Sequence, residues 1–318
     1  MEKHSDKLNF TMKQIFFLFL VILLLSSCKI DKKNSCKCLK YNNPSKMELY
    51  ADSLKRVGDL KTAILVYKTE YAIKPNKRTA YSLAYSYSLM WDMDSSLYYL
   101  KKATLCDSSI YRIYDASLFP LINTNEWKTF ANRQMDKFEI NHGKFGNRDL
   151  VNKLMLIRIK DQAYYWHAFT KPDSAAVYWA KKIELNKENV LEIKKIIKTY
   201  GWPTRKLVGI DALSVVFSVL QHSSDYEFVK EMRPQLKRLA ESDSLFLPQY
   251  ALLDDRINVR EGKKQLYGSQ PSYDSIKKVY YLDNVVFPDS LDIRRKKMGL
   301  SPIKEYLKQW NAELRIYD

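Results

Sequence analysis

Apolar residues recur at helical spacing from Met47 onward, and this periodicity restricts the fold more than any other feature of the sequence. Glycine, which weakens helices, occurs only eight times in 318 residues. A short stretch around Gly262 instead alternates in the way that strands do. The alternating residues are Ile257, Val259, Leu266 and Tyr267. We therefore expect a mainly α fold with one small β-hairpin, whose turn contains Gly262.

An internal repeat appears when residues 50–75 are laid over residues 83–108. The matched positions are Tyr50 and Ala51 with Leu83 and Ala84, Leu54 with Tyr87, Ala63 with Ser96, Tyr67 with Leu100, and Pro75 with Ser108. This pattern resembles the tetratricopeptide repeat, in which small residues let two helices cross closely. The resemblance implies tetratricopeptide-like helical hairpins over residues 47–140, with a concave face for a peptide or protein partner. The alternative is a set of generic packed helices whose aromatic residues share this spacing.

Two repeats are fewer than the three that a repeat array generally needs, so a further element must cover its end. Residues 111–130 are the candidate for this closing element, and we expect Trp127 to be a core residue there. The polar stretch 141–147 then predicts a domain boundary. A second helical domain is expected over residues 150–318.

Helix-ending and helix-starting residues divide the second domain. Gly201 is suited to end the helical segment 173–200, which is either one helix or a broken pair. Either Ser224 or Asp225 is suited to cap the next long helix. The predicted helical segments are 151–169, 173–200, 209–221, 226–241 and a turn or two within 247–255. The third of these segments leaves Gln221 and His222 at the end of a buried helix.

The first 28 residues have the composition of a secretory signal. Lys13 precedes an apolar run from Ile15 to Leu25, which is shorter than the about 20 residues that span a bilayer, and small residues then lead to Cys28. The segment resembles the signal of bacterial lipoproteins. This resemblance implies a signal peptide over residues 1–27, a lipidated Cys28, and a flexible tether over residues 28–46. The alternative is an uncleaved anchor in which Cys28 is an ordinary thiol.

The same resemblance implies the partner and the location of the chain. An acylated Cys28 would hold the protein on a membrane without crossing it, because two or more acyl chains anchor durably. The expected location is the cell membrane or the outer membrane, on the exported side of the inner membrane. By analogy, Lys29 after the cysteine favours the outer membrane, because an Asp there would resemble an inner-membrane retention signal.

The sequence is strongly basic, with a formal net charge of +17. A basic surface can attract nucleic acid or anionic lipid, but an exported chain meets little nucleic acid, so we expect no nucleic-acid partner. Anionic headgroups or glycans are better counterparts. The alternative is that the lysines only form solvated helix faces.

Three further cysteines, Cys36, Cys38 and Cys106, accompany Cys28. A Cys-x-Cys pair without a second pair or nearby histidines does not suit structural zinc, which takes four ligands. We therefore expect no metal site and no cofactor. Disulfides persist in an exported compartment, and an odd number of cysteines would leave one thiol over.

A signature runs through the C-terminal half of the chain. Its residues are Gly201, Trp202, Pro203, Gly209, Ala212, Gln221, His222, Asp255, Arg256, Gly262, Gln265, Tyr267, Gly268, Ser269, Gln270, Pro288, Asp292, Arg294, Arg295, Gly299, Leu300, Pro302, Glu305 and Tyr306. This ordered combination resembles an uncharacterised bacterial domain family, over roughly residues 155–310. The resemblance implies a domain but no activity, so chemistry must be argued from residue types.

His222 and Arg256 are the catalytic candidates. The ordinary pKa of a histidine suits a general base or acid, and an arginine can bind a phosphate or a carboxylate through two parallel hydrogen bonds. The candidate ligand-binding residues are Gln221, Asp225, Gln265, Tyr267 and Gln270, among which Asp225 would orient His222. Structural alternatives are a core histidine at position 222 and an Arg256 that pairs with an acidic neighbour. The acidic neighbours considered are Glu231, Asp254 and Asp255.

Three hypotheses for function follow. The first is a cell-envelope lipoprotein that acts as a binding or scaffold module for a peptide, a protein or an envelope component. The second is a hydrolase or transferase on an anionic substrate, which requires His222 and Arg256 to converge with Gln265 and Gln270 around one pocket. The third is an immunity or inhibitor protein. The sequence favours the first hypothesis, because it lacks a recognisable nucleophile motif.

Overall fold

Helices dominate the residues that the computed structural model describes, which are 38–310 and 312–314. Among them are fourteen α-helices and one small sheet, which confirms the predicted mainly α fold. The predicted signal peptide, Cys28 and Cys36 lie outside the described residues. Residues 38–45, from the end of the predicted tether, have no regular secondary structure. Cys38 and Cys106 are each disulfide-bonded.

Four helices occupy the first part of the predicted repeat region. They are α1 (Lys46–Arg56), α2 (Leu60–Ile73), α3 (Lys77–Leu89) and α4 (Met93–Thr104). Each begins after a side chain that accepts a hydrogen bond from a backbone N–H of the first turn. These caps are Ser45, Asp59, Asn76 and Asp92.

The small residues matched in the repeat lie in the interior. Ala51, Ala63, Ala84 and Ser96 are fully buried, and the hydroxyl of Ser96 donates to the carbonyl of Ala84 at 2.7 Å. Their burial is compatible with close helix crossings. The specific likeness to tetratricopeptide repeats stays a prediction.

A closing element follows α4, as the sequence predicts. Two short 3-10 helices, Tyr111–Tyr114 and Ala116–Leu121, precede α5 (Asn125–His142). Trp127 on α5 is buried and packs edge-to-face on Tyr114, with 5.4 Å between ring centroids. This confirms Trp127 as a core residue.

The remaining helices form the C-terminal half. They are α6 (Arg148–Gln162), α7 (Tyr165–Thr170), α8 (Ala175–Tyr200), α9 (Arg205–Leu213), α10 (Val215–His222), α11 (Tyr226–Ser242), α12 (Leu247–Arg260), α13 (Leu291–Lys297) and α14 (Ile303–Trp310). Short 3-10 helices directly precede three of these helices: Pro172–Ser174 before α8, Ser244–Phe246 before α12 and Pro288–Ser290 before α13. The largest buried apolar cluster runs from Ala80 to Ile257, on both sides of the boundary predicted at 141–147. That boundary stays a prediction.

Two helix ends agree with the sequence, and two predicted helices are each divided in the structure. The segment predicted as a helix over 151–169 is divided between α6 and α7, where Tyr164 has a φ of +67°. Gly201 ends α8 with a φ of +69°, and Asp225 caps α11 by accepting the N–H of Phe228 at 3.1 Å. The helix predicted over 209–221 is instead divided between α9 and α10, with a non-helical Gly209 at a φ of +72°. Glycine suits this position because it adopts positive φ without strain.

The β-hairpin exists, but its predicted position at Gly262 is wrong. Helix α12 continues through Arg260, and the N–H of Gly262 donates to the carbonyl of Val259 in the turn that ends it. The continuation has a physical reason: Leu253 and Ile257, four residues apart, are both fully buried on one helix face. Gly262 therefore follows a helix, with the positive φ that favours glycine there.

The observed hairpin has its turn at residues 275–278. Strand β1 (Ser272–Asp274) pairs antiparallel with β2 (Val279–Leu282), with Ser272 opposite Tyr281. A third strand, β3 (Ala312–Leu314), pairs parallel with β2 on its other side. A small second core lies beneath, formed by Leu282, Val285, Leu291 and Leu307.

Candidate functional site

The last residue of α10, His222, binds a carboxylate from a distant part of the chain. Its Nδ1 lies 2.9 Å from both carboxylate oxygens of Asp161, in the last turn of α6. The Asp161 side chain is 2% exposed, whereas that of His222 is 31% exposed. A carboxylate only accepts hydrogen bonds, so Nδ1 carries the hydrogen and Nε2 is the nitrogen that can take a proton. No residue that the structure describes forms a hydrogen bond with Nε2.

Asp161 is itself held in place by two neighbours. The side-chain amide of Gln162 donates to its carboxylate at 2.7 Å, and Nζ of Lys182 donates to its main-chain carbonyl. Lys182 lies on α8 and is almost completely buried. Burial lowers the pKa of Lys182, while the charge of Asp161 opposes that shift.

The ring of Tyr165, at the start of α7, contacts both Lys182 and His222. Nζ of Lys182 lies 3.9 Å from the ring centroid, and the imidazole of His222 meets the same ring edge-to-face at 6.3 Å. Burial raises the pKa of Tyr165, Asp161 adds to the shift, and Arg256 opposes it. We call the five residues Asp161, Tyr165, Lys182, His222 and Arg256 the His222 cluster.

Arg256, on α12, enters this cluster without an acidic partner. No carboxylate within residues 38–310 and 312–314 pairs with it, and its buried Nε has no hydrogen-bond acceptor. Burial lowers the pKa of Arg256, and the neighbouring Arg260 lowers it further. The adjacent candidate Gln221 has a buried Nε2 that likewise lacks a partner. Arg256 of the cluster and Gln221, the sequence neighbour of His222, thus have one guanidinium N–H and one amide nitrogen, respectively, that no acceptor within the described residues binds.

The structural alternative for Arg256, pairing with an acidic neighbour, is wrong. Asp254 instead binds Arg233 at 2.5 Å. Asp255 accepts backbone N–H groups of a nearby loop. Successive helical residues point to different sides, so neither carboxylate faces the same neighbours as Arg256.

The expectation that Asp225 orients His222 is also wrong. Asp225 binds Nζ of Lys194 at 2.7 Å and caps α11, and these contacts lower its pKa, the Lys194 contact most strongly. The reason lies at Ser223, whose extended backbone ends α10 directly after His222. Asp225 therefore begins the next helix instead of lying one turn further along the same one.

Gln265, Tyr267 and Gln270 belong to a loop of residues 265–270 that we call the signature loop. The backbone N–H of Gln270 donates to Oε1 of Gln265 at 2.9 Å, and Nε2 of Gln265 donates back to the carbonyl of Gln270 at 3.1 Å. Nε2 of Gln270 donates instead to the carbonyl of Ser269 at 3.2 Å, so neither glutamine side chain binds His222. The predicted convergence of both glutamines on His222 and Arg256 therefore does not occur through hydrogen bonds.

Asp255 organises the signature loop from α12. Its carboxylate accepts the N–H groups of Leu266 at 2.7 Å, Tyr267 at 3.1 Å and Ser269 at 2.9 Å. Burial raises the pKa of Asp255, although these hydrogen bonds act in the opposite direction. The Asp-Arg pair of the signature thus has two roles: Asp255 holds a loop, and Arg256 joins the His222 cluster.

Two arginines of α13 fix the other side of the signature loop. Arg295 is buried and donates to the carbonyl of Tyr267 at 2.6 Å, and Nε of Arg294 donates to the carbonyl of Leu266 at 2.7 Å. Tyr267 thereby has both backbone groups bound, with Asp255 on one side and Arg295 on the other. These contacts give Tyr267 a structural role in the loop.

Three members of the cluster are not among the residues predicted from the sequence: Asp161, Tyr165 and Lys182. One local signal existed for Asp161. It shares a face of α6 with the buried residues Leu154 and Ile157, which places a carboxylate where the periodicity calls for an apolar side chain. No local pattern distinguishes Lys182 from the other lysines of α8.

The chain belongs to the family of unknown function DUF6624, which matches residues 149–314, more than half of its length. This agrees with the resemblance seen in the signature residues. The matched segment contains the whole His222 cluster and the signature loop. No curated protein and no solved structure matches the chain.

Two further observations concern only the residues that the structure describes. None of their helices is both long and apolar enough to cross a membrane. In that same part of the chain, no group of three or more His, Cys, Asp or Glu side chains is arranged to hold a metal ion.

Proposed function

We propose that the protein binds an anionic group, such as a phosphate or a carboxylate, at the His222 cluster. The observation that carries this proposal is the half-buried Arg256 without a carboxylate partner and with an unbound Nε. Removing a guanidinium from water is unfavourable unless an acceptor replaces the lost hydration. Arg260 makes the position more cationic still. A bound anion would supply the missing acceptor.

The rest of the cluster supports the same ligand. Lys182 adds a second buried cation, whose Nζ donates to the carbonyl of Asp161 and, at 3.5 Å, to Oδ1 of Asn186, which leaves one of its three N–H groups for a ligand. His222, whose Nδ1 is held by Asp161, presents Nε2 as a further donor once that nitrogen is protonated. Arg256, Lys182 and His222 would then each donate a hydrogen bond to the same anion.

The predicted export signal and the predicted lipidation of Cys28 support the hypothesis of a cell-envelope binding module. Anion binding would restrict the ligands of that module to anionic ones. The protein would be a cell-envelope lipoprotein that holds an anionic component of the envelope. The lipid at Cys28 would keep the binding domain near surfaces rich in anionic groups.

Calorimetric titration of the purified chain with inorganic phosphate tests this proposal. We expect saturable binding that Arg256→Gln abolishes, because the amide cannot replace the charge or the paired donors of a guanidinium. Arg238→Gln is the matched control, since Arg238 is an exposed arginine of α11 outside the cluster. Equal binding by the Arg256→Gln variant, or no binding by the unmodified chain, would overturn the proposal.

A second candidate function is hydrolysis or group transfer, and the contact between Asp161 and His222 favours it. A buried carboxylate that fixes Nδ1 leaves Nε2 ready to accept a proton in a general-base step. A water molecule or an acceptor hydroxyl would give its proton to Nε2 as its oxygen bonds to the phosphorus of a phosphomonoester or to the carbonyl carbon of a carboxylic ester. The P–O or C–O bond to the leaving alcohol would then break, and the protonated His222 would return the proton to the oxygen of that alcohol. Arg256 would bind the charge that develops in the transition state.

Turnover separates the two functions. For hydrolysis of phosphomonoesters and carboxylic esters, we expect His222→Gln to lower kcat by about 100-fold or more, while phosphate binding by Arg256 persists. Phosphate binding without any His222-dependent turnover would leave binding as the function and reject the enzyme.

A further inference from the structure

An exposed group of aromatic rings lies directly beside the His222 cluster. Phe169 at the end of α7 stacks on Tyr165 with 6.1 Å between centroids and 12° between planes. Trp179 on α8 stands nearly perpendicular to both, at 80° to Tyr165 and 89° to Phe169. We call Tyr165, Phe169 and Trp179 the aromatic corner.

The aromatic corner leaves much apolar surface in water. Phe169 is 72% exposed and Trp179 is 36% exposed, and the neighbouring Ile183 is also exposed. A single exposed apolar side chain is ordinary, but contiguous exposed rings beside a polar cluster mark a binding surface. Burial of these rings by a ligand would be favourable by the area removed from water.

Tyr165 joins the aromatic corner to the His222 cluster. One ring therefore contacts the imidazole of His222, the ammonium of Lys182 and the exposed Phe169. A ligand whose acidic group lies at Arg256 would extend over Tyr165 toward Phe169 and Trp179. The ligand that fits this surface has an anionic group at one end and a ring with apolar faces at the other.

We propose that this surface binds an anionic saccharide, with the acidic group at Arg256 and a sugar ring in the aromatic corner. The inference rests on the proposed anion binding and names its ligand class. A sugar ring has apolar C–H faces that pack on aromatic side chains, and its puckered shape fits rings that meet at nearly 90°. Its hydroxyls remain available to water.

The geometry disfavours two other ligands that combine charge with apolar surface. A flat nucleobase is held best between parallel rings, but Phe169 and Tyr165 already stack on each other. A lipid surface would bind cations at the protein surface, whereas Lys182 is almost completely buried and Arg256 is half-buried. The acidic group of a small ligand is narrower than a lipid surface and therefore suits the half-buried Arg256 better.

Binding of the purified full chain to a panel of immobilised saccharides tests the inference. The panel contains uronic-acid, phosphorylated and sulfated oligosaccharides, each with its neutral counterpart. Two further probes represent the disfavoured ligands: phosphatidylglycerol vesicles for a lipid surface, and adenosine monophosphate for a nucleotide. We expect binding of at least one anionic saccharide, loss of binding to its neutral counterpart, and about tenfold weaker binding by Phe169→Ala.

The control variant is Phe287→Ala, since Phe287 is as exposed as Phe169 and lies outside the aromatic corner. We expect it to bind the saccharide like the unmodified chain. Because Phe169 is largely in water, its replacement should leave the melting temperature unchanged, which separates lost binding from lost folding.

Several results would overturn the inference. It fails if no anionic saccharide binds, if Phe169→Ala and Phe287→Ala bind equally, or if only vesicles or the nucleotide depend on Phe169. Inorganic phosphate distinguishes this failure from that of the proposed function. If phosphate binds in an Arg256-dependent way but no anionic saccharide binds, anion binding stands and the saccharide inference is rejected. If neither phosphate nor an anionic saccharide binds, both proposals are rejected.

Discussion

Nδ1 of His222 lies 2.9 Å from both carboxylate oxygens of Asp161, which is 61 residues earlier in the chain. The two residues lie in the last turns of different helices, α6 and α10, which pack together. The contact therefore exists only in the folded protein. It makes the tautomer and orientation of His222 a property of tertiary packing.

Asp161→Ala should lower the free energy of unfolding by about 1–3 kcal/mol, because the Nδ1–H of His222 and the amide of Gln162 lose a common acceptor. Urea denaturation measures this loss. The hydrogen on Nδ1 should also lose its protected resonance in NMR spectra. Asp173→Asn, at an exposed carboxylate outside the cluster, should leave both unchanged. An unaltered Nδ1–H resonance in Asp161→Ala would contradict the assigned contact.

The local parts of the fold could be read from the sequence. Helical periodicity, the capping role of Asp225 and the helix end at Gly201 each depend on neighbouring residues only, and all three are confirmed. The hairpin was misplaced because alternation around Gly262 also fits a helix end, where Ile257 continues the buried face of α12. Short apolar patterns do not decide between these structures without the packing partner.

The candidate site was predictable in part. His222 and Arg256 were identified from residue type and signature, and both lie in one cluster. Asp161 and Lys182 lie on helices that are distant from His222 in the sequence, and no local sequence pattern predicts the contact of Asp161 with His222 or that of Lys182 with Asp161. The glutamines 265 and 270 were misjudged, because a polar side chain in a signature can serve a loop as well as a ligand.

Cys28→Ser should move the protein from the membrane fraction to the soluble fraction of the cell envelope. The expectation follows from the lipoprotein-like signal, since the serine hydroxyl cannot receive the thioether-linked lipid. Fractionation and incorporation of labelled palmitate measure the outcome. Cys36→Ser provides the matched control and should keep the label. Undiminished labelling of Cys28→Ser would refute lipidation at this residue.

Gly209→Ala should destabilise the protein more than Gly201→Ala does. Both glycines have nearly the same backbone angles, φ +72° with ψ 179° and φ +69° with ψ −164°, in a region nearly restricted to glycine, so both substitutions strain the backbone by about 1–3 kcal/mol. A Cβ at position 209 would also lie 3.3 Å from Cε1 of Phe145, whereas a Cβ at position 201 has nothing within 4 Å. The difference in urea midpoints therefore isolates the contact with Phe145. Equal midpoints would show that Phe145 moves aside without cost.

Asp255→Ala should destabilise the protein, because Asp255 holds the signature loop. Its three N–H donors lose their acceptor in Asp255→Ala, at about 1–3 kcal/mol for each group left buried and unsatisfied. Asp255→Asn keeps one acceptor oxygen and should lose less. Either result is measured by urea denaturation at neutral pH, and an Asp255→Ala variant as stable as the unmodified chain would contradict this role.

The pH dependence has a definite sign. Burial raises the pKa of Asp255 above its ordinary value of 3.8, so the folded state keeps the proton to a higher pH than the unfolded chain does. The folded state then binds more protons in that interval, and the contribution of Asp255 to the free energy of unfolding falls as pH rises from 3.8 through the raised pKa. Asparagine does not titrate, so the free energy of unfolding of the unmodified chain minus that of Asp255→Asn should decrease over this interval. A difference that stays constant or increases would mean that the three backbone N–H groups outweigh burial and hold the pKa down.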